Sequence, residues 1–559
     1  LIKIRIIALL LCIAVLPAAA TGSPLVLHQP GGADRDEPAN PSPSIQAKDI
    51  LDQLYLGKSN RAISLAERYI ELYPNDPLPC LMMARALREL LPEQDDNKEL
   101  IKENASPIHD QLDKAIDLCE RGLKTDDANM RLRFYRGWAW MFKAQLHALG
   151  GSYWSAGRAA AKGNKDLEKY ISNHPDDPDA KGILGTFLYF ADTLPSFIKI
   201  IKTLFLIPGG DREKGLDYLH YACSREGLLQ TDHQIVLGAI YTIFEGRFEE
   251  GVNVFTNLLN RYPDYLRLVE PLAIVRTFYP GKIQYLQSIE RNAIARSRQG
   301  ADAGIHDETI QRLRYHRSYA NMFFESPSLA IGEFSALIDE APGRPDWLVP
   351  LSLVNLGCLY ANAGQTDKAQ AAFDQVLQNE EMKRFHDIAS DMMKTKDETN
   401  ESLMAGDGSF IHNIYYLNPA SAEAALQKYQ SEKGPTVLYE FYRGETMLLS
   451  GNYEAASRHF QNALERDVPV FSQAYQMLAA LRMAEIKGMQ GDFRAAREHL
   501  DEGLDYYHKE FLIDMLIEGR KRFYERLEKG ELEVDPTVLI ANPLPHHTLP
   551  LFMTDQISH

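Results

Sequence analysis

A chain of 559 residues is larger than one compact core, and its 45% hydrophobic share is that of a folded protein rather than a disordered one. A formal charge of −17 repels phosphate backbones, so no nucleic-acid partner is expected without a local basic patch. The nearest to such a patch is Arg520, Lys521, Arg522 and Arg526, interleaved with Glu518, Glu525 and Glu528, which reads as a solvated helix face.

Residues 1–20 read as a secretory signal peptide. Lys3 and Arg5 precede the apolar run Ile6 to Leu16, Pro17 breaks it, and Ala18-Ala19-Ala20 offers a cleavage site. The run is short of the roughly 20 residues that cross a bilayer. Cys12 lies inside it behind Leu11, where a lipidation signal needs a small residue. Residues 21–44 are rich in Gly, Pro, Ser and Asp and are expected to form a flexible linker. An exported protein of the periplasm or cell envelope is the expectation that follows.

From Ile45 a helical rhythm begins. Gly57, Ala62, Ala66, Ile70 and Pro74 form one unit, and Ala115, Cys119 and Leu123 fit a second. An aromatic helix follows with Phe134, Tyr135, Trp138, Trp140 and Phe142. Leu167, Ile171 and Pro175 mark a further unit, then Gly210, Gly215, Leu219 and Cys223, then Gly246, Gly251, Phe255, Leu259 and Pro263, then Ala330, Phe334, Ile338 and Pro342. The clearest copy is Leu356, Gly357, Tyr360, Gly364, Ala369, Phe373, Leu377. It recurs as Gly444, Gly451, Tyr453, Ala456, Phe460, Ala463, Leu464 and as Gly491, Phe493, Ala496, Leu500, Leu504. A small residue five after the turn glycine, then apolar residues at intervals of four, is the pattern of paired antiparallel helices that bury their faces only by stacking. The predicted fold is therefore all-α, an α-solenoid of helix-turn-helix repeats. N-terminal repeats are expected over 45–270, middle repeats over 271–380, an irregular insertion over 381–433, C-terminal repeats with a capping helix over 434–530, and a Pro-rich tail over 531–559.

No constellation of catalytic chemistry stands out. The turn around Gly209–Gly215 lacks the GxxxxGK[ST] pattern and follows no strand, so Asp211 is read as a helix cap and Gly215 as a close helix contact. Cys80, Cys119, Cys223 and Cys358 are far apart and are read as core thiols. His546-His547 lies alone in the tail, and neither HExxH nor GxSxG occurs, so no enzyme activity, metal or cofactor is expected. Lys199 and Lys202 within Phe197 to Ile207 leave a peripheral membrane contact open, although a packed repeat helix explains the segment as well.

The copies at 350–380, 438–468 and 478–508 resemble tetratricopeptide repeats. Residues 150–263, through Gly150-Gly151-Ser152-Tyr153-Trp154, Leu184-Gly185 and Pro208-Gly209-Gly210-Asp211, are similar to a group of exported bacterial repeat proteins and, more distantly, to a eukaryotic repeat family of mitochondrial outer membranes and inclusion-body or lipid-body clearance. These resemblances imply a non-catalytic role in binding or assembly, with a protein or peptide partner. In the resembled fold, first-helix positions line a concave groove. Here those positions map to Leu351, Val354, Cys358, Ala361 and Asn362, and to Leu438, Phe441, Glu445, Leu448 and Leu449. The lining is mostly apolar, so the groove is expected either to hold an apolar or helical peptide or to be filled by the chain itself. The leading expectation is an exported scaffold that binds a protein partner in the envelope. The alternative is a glycan- or lipid-handling binding protein of the envelope, with the aromatic helix 134–142 and the 196–207 segment as contacts. Oligomeric state is not legible.

Overall fold

The computed structural model describes residues 46–91, 98–193, 210–277, 287–288, 290–292, 294–295, 303–324, 326–340, 347–394, 411, 414, 419–506 and 511–532. The expected signal peptide, linker, Pro-rich tail and the 197–207 segment lie outside these. Among the described residues there is no strand. The helices are α1 Ala47–Tyr55, α2 Ser59–Leu72, α3 Pro77–Arg88, α4 Lys98–Thr125, α5 Met130–Leu149, α6 Tyr153–Asn173, α7 Pro178–Thr193, α8 Arg212–Ser224, α9 Gln230–Ala239, α10 Phe248–Arg261 and α11 Val269–Thr277. They continue as α12 Ala303–Phe324, α13 Pro327–Glu340, α14 Leu348–Asn362, α15 Thr366–Leu377, α16 His386–Lys394, α17 Pro419–Lys433, α18 Val437–Leu449, α19 Tyr453–Leu464, α20 Gln473–Met489, α21 Phe493–Tyr506 and α22 Phe511–Glu528.

Backbone contacts divide the chain into two compact units. One comprises Leu1–Ile240, Asn253–Val269 and Ala293–Thr309; the other comprises Tyr241–Val252, Glu270–Asn292 and Ile310–His559. The segment 381–433, expected to be irregular, contains α16 and α17. Its many Ser, Asn, Asp and Glu residues hide a helical core stripe, of which Ala422, Leu426 and Tyr429 are the buried members.

Sequence sets the helix ends. Asp76, Asn129, Asp211, Thr436, Asn452 and Asp492 each accept a backbone N–H two or three residues on, filling donors that a helix start leaves free. Between paired helices, Gly364, Gly451 and Gly491 have φ of +70°, +76° and +76°, where other residues are strained.

Within each pair the two helices play different parts. Ten of the twelve residues of α3 and ten of the thirteen of α18 are buried, so these first helices are enclosed nearly all round. Only three of the fourteen residues of α2 and three of the fourteen of α21 are buried, so these second helices carry an outer side that is partly or fully exposed. Two glycines let the pairs approach. A Cβ on Gly357 would lie 2.5 Å from the Phe373 ring, and one on Gly444 2.5 Å from the Phe460 ring. Each glycine precedes its phenylalanine by sixteen residues, so one packing rule serves both repeats. Gly215 works in the same way on backbone: its Cβ would lie 2.8 Å from the Gly185 carbonyl and 2.6 Å from the Tyr189 nitrogen, the close contact that the sequence assigns to it.

Candidate functional site

The expected groove residues lie in the second unit, and six of the seven are core. Val354 and Asn362 are 1% exposed, Leu438 and Phe441 0%, Glu445 1% and Leu448 5%. Leu351 is half-buried. Their neighbours are other parts of the same unit. The Phe441 ring lies 5.8 Å from Tyr475 of α20 and 6.1 Å from Phe460. Glu445 Oε1 accepts from Arg482 Nε at 2.8 Å, and both side chains are almost fully enclosed. Asn362 Oδ1 accepts from Ser472 Oγ at 3.1 Å. The Tyr442 hydroxyl donates to the Phe323 carbonyl of α12 at 2.8 Å. Of the two outcomes open for the groove, the second describes this geometry: the chain occupies the face itself. Repeat spacing places residues on a face, but it does not reveal that α12, α14, α18 and α20 turn those faces toward one another.

In the second unit, the Glu270 carboxylate faces an arginine and a histidine. Arg312 Nη1 lies 3.3 Å from its Oε1 and His316 Nε2 lies 3.8 Å from the same oxygen. Burial alone would raise this carboxyl, but Arg312 and His316 outweigh it and hold the pKa down to about 2. The Arg312 guanidinium also faces Trp347 at 5.4 Å from the ring centre.

The first unit has a larger charged centre. Arg85 grips Asp232 with two bonds, Nε to Oδ2 at 3.1 Å and Nη2 to Oδ1 at 2.9 Å, across 147 residues of sequence. Arg85 Nη1 also donates to Glu89 Oε1 at 2.5 Å. Glu89 receives Arg267 Nε at 2.9 Å and the Tyr265 hydroxyl at 3.1 Å. Burial works against the Asp232 carboxylate, but the Arg85 charge outweighs it and keeps the pKa below the usual range. Burial pushes the Tyr55 and Tyr265 phenols well above theirs, reinforced by Asp232 beside Tyr55 and Glu89 beside Tyr265. The Tyr55 ring lies 5.1 Å from Tyr262 and 5.7 Å from Tyr265, and a Cβ on Gly57 would lie 2.7 Å from the Asp264 carbonyl. The turn after α1 therefore touches the turn after α10, and the charged centre joins the first hairpin to the end of α10. Each acid here is held by a guanidinium, which suits fastening rather than proton transfer.

The basic cluster of α22 is corrected by the structure. Arg520 Nη1 donates to the Gly246 carbonyl at 2.8 Å, and Arg522 Nε donates to the Phe244 carbonyl at 2.7 Å. Arg526 Nη1 pairs with Glu245 at 3.2 Å, and Arg520 and Arg526 are 7% and 8% exposed. These residues follow the π-turn Ile240–Phe244, whose last carbonyls have no helical partner. The arginines supply those donors, so this face packs rather than meeting solvent. Only Lys521 behaves as the charge pattern suggests, pairing with Asp501 and Glu518.

On the aromatic helix, Trp138 is 6% exposed and belongs to the core. Trp140 is half-buried, and Lys162 Nζ sits 3.9 Å from its ring centre, on the surface a sugar would stack against. Cys80, Cys119, Cys223 and Cys358 are free thiols, and burial pushes Cys119 up to about 12. Among the described residues no His, Cys, Asp and Glu are grouped to hold a metal ion, and no helix is long and apolar enough to cross a membrane.

Residues 351–380, most of α14 with all of α15, match the family model of a tetratricopeptide repeat. No curated protein matches the chain in sequence. Solved structures similar to it include human IFIT1 as a dimer with m7Gppp-AAAA, 12% identical over 75% of this chain and 93% of that one, with a TM-score of 0.26. The Cut9–Hcn1 hetero-tetramer of the APC/C is 15% identical over 89% of this chain and 95% of that one, with a TM-score of 0.24. Scc4 in complex with Scc2n is 12% identical over 83% and 90%, with a TM-score of 0.28. Superpositions this loose say nothing about what this chain binds.

Proposed function

We propose that this chain, a tetratricopeptide-repeat protein through its repeat at 351–380, is an exported, non-catalytic scaffold that holds a protein partner in the cell envelope. The observation that carries the scaffold reading is the division of labour between paired helices. First helices are enclosed, and second helices keep an outer side that is partly or fully open to whatever the protein meets. Charged side chains in the two centres are consumed in fastening, which supports a role without catalysis. Export rests on Lys3, Arg5, the apolar run and Ala18-Ala19-Ala20.

Two measurements test this. Residues 1–44 fused to a reporter active only outside the cytoplasm should give activity, and the N-terminus of the exported full chain should begin just after Ala20. A reporter that stays silent removes the envelope from the reading. Cross-linking of the full chain in its native envelope fraction should capture a discrete partner at fixed stoichiometry, and a chain found only by itself would overturn the scaffold.

A further inference from the structure

Two histidines meet across neighbouring helices of the first unit. His109 of α4 and His147 of α5 stack with ring centres 4.7 Å apart and planes 30° from parallel. Both are half-buried. One turn along each helix, the next rung is the ion pair of Lys143 with Asp113. The stack stands where both helices are weak. Pro107 lies inside α4, two residues before His109, and has no N–H for the carbonyl four residues earlier, so the helix is interrupted there. His147 lies in the last turn of α5, just ahead of Gly150 and of Gly151, whose φ is +72°. Close to the pair in sequence, Ala105, Ile108, Leu146 and Leu149 are all buried.

The stack suits two neutral rings. Imidazole is the side chain that gains charge between about pH 7 and 5, and a proton on each ring would set two cations face to face. The other charges that face the rings are Asp110 and Asp113 from α4, Lys143 from α5 and Arg158 from α6. Asp113 is already engaged by Lys143, and Asp110 is exposed, where solvent screens it. The carbonyl end of α5 favours a charge on His147. Burial and then Lys143 outweigh it, with Arg158 adding to them, and His147 stays below its ordinary value. Burial, then His147 and Lys143, lower His109 to about 4.

We propose that the His109–His147 stack is an acid-sensitive latch within the first unit. With neutral rings it holds the start of α4 on the end of α5, and with protonated rings it releases that start at the Pro107 interruption. A released histidine takes its proton near pH 6.5, whereas the closed stack resists it. The closed contact is therefore complete above about pH 6.5 and is lost as pH falls from there toward 4. For His109 alone, the open form gains about twentyfold between about pH 7 and 5, and His147 acts in the same direction. Release bares Ala105 and Ile108, so acid turns a sealed seam into an apolar surface. The latch does not depend on the scaffold reading, because it concerns how the first unit opens and not what the protein holds.

The test is hydrogen exchange of the full chain at about pH 7 and pH 5, with intrinsic rates divided out. Protection over residues 98–110 and 142–150 should fall about twentyfold or more on acidification, while α10, which carries no histidine, keeps its own. The double variant His109→Phe, His147→Phe keeps two stacked rings without a titrating group and should hold its protection at pH 5. His109→Lys fixes the charge and should lower protection in the same two stretches already at pH 7. Unchanged protection in the unaltered chain, or an equal loss in the double phenylalanine variant, overturns the latch. Exchange of the imidazole C2 hydrogens in the unaltered chain decides without any variant. It should give midpoints below the ordinary 6.5 for both rings, with His109 near about 4, and ordinary midpoints for both overturn the proposal.

Discussion

The two units close by different chemistry. In the first, α4, α5 and α6 reach 28, 20 and 21 residues, and hairpins distant in sequence are joined by one connected charged network, Arg85, Glu89, Asp232 and Arg267. In the second, α14, α15 and α18 have 15, 12 and 13 residues, beside 17 in α20 and 18 in α22. There rings, Phe323 and Phe441 on Tyr475, share the interior with separate buried ion pairs, Arg482 on Glu445 and Arg312 on Glu270, and the end is fastened by arginines on backbone carbonyls. The charged network of the first unit is carried by the short helices α3 and α9 and by the turn after α10, so helix length does not set the chemistry. A buried ion pair costs desolvation and is unforgiving of loss, but it accepts only one partner geometry. Ring packing is less specific and degrades gradually.

Breaking the charged centre should have the largest effect. Asp232→Ala leaves Arg85 enclosed with its bidentate partner gone and is expected to cost about 3–5 kcal/mol. Hydrogen exchange should show lost protection in α1, α3 and α9 while α14 to α21 keep theirs. Protection lost evenly across both units would mean that the centre does not belong to one of them. Acid probes the same contrast without mutation. Asp232 and Glu270 have folded pKa values depressed below their unfolded ones, so their contribution is complete above about pH 4.5 and is lost as pH falls through the folded values, about 2 for Glu270. A urea midpoint that drops below pH 4.5 is expected, and Glu270→Gln should flatten the part of that drop lying nearest pH 2.

Packing defects in the second unit should be milder. Gly357→Val drives a side chain into the Phe373 ring and is expected to cost about 1–3 kcal/mol in urea unfolding. Arg522→Ala removes a charged donor from the Phe244 carbonyl and should cost about 1–2 kcal/mol, read as faster exchange in α22. Gly364→Ala is the smallest. Nothing lies within 4 Å of its Cβ, so only the left-handed backbone resists it, by about 1 kcal/mol. If Gly364→Ala destabilised more than Gly357→Val, backbone strain and not ring packing would dominate these repeats.

Much of the fold was legible. Turn glycines, capping Asp and Asn residues, and the Gly-to-Phe interval of sixteen are local, and local rules act wherever the residues stand. The site was less legible. Repeat spacing put Phe441 and Glu445 on the inner face but could not tell groove from core, because burial depends on what arrives from α20. The alternating charges of α22 looked solvated because the carbonyls they serve belong to residues 244–246, more than 270 positions away.

The sequence by itself determined the all-helical class, the hairpin unit, its caps and its turns, since hydrogen bonds and side-chain spacing within a few dozen residues settle them. Only the tertiary structure decided that the inner faces are filled, that Arg85 meets Asp232, and that Arg520 and Arg522 serve the carbonyls of Gly246 and Phe244. Those outcomes depend on small rotations accumulated from hairpin to hairpin, which no single repeat encodes and which become visible only where distant turns meet.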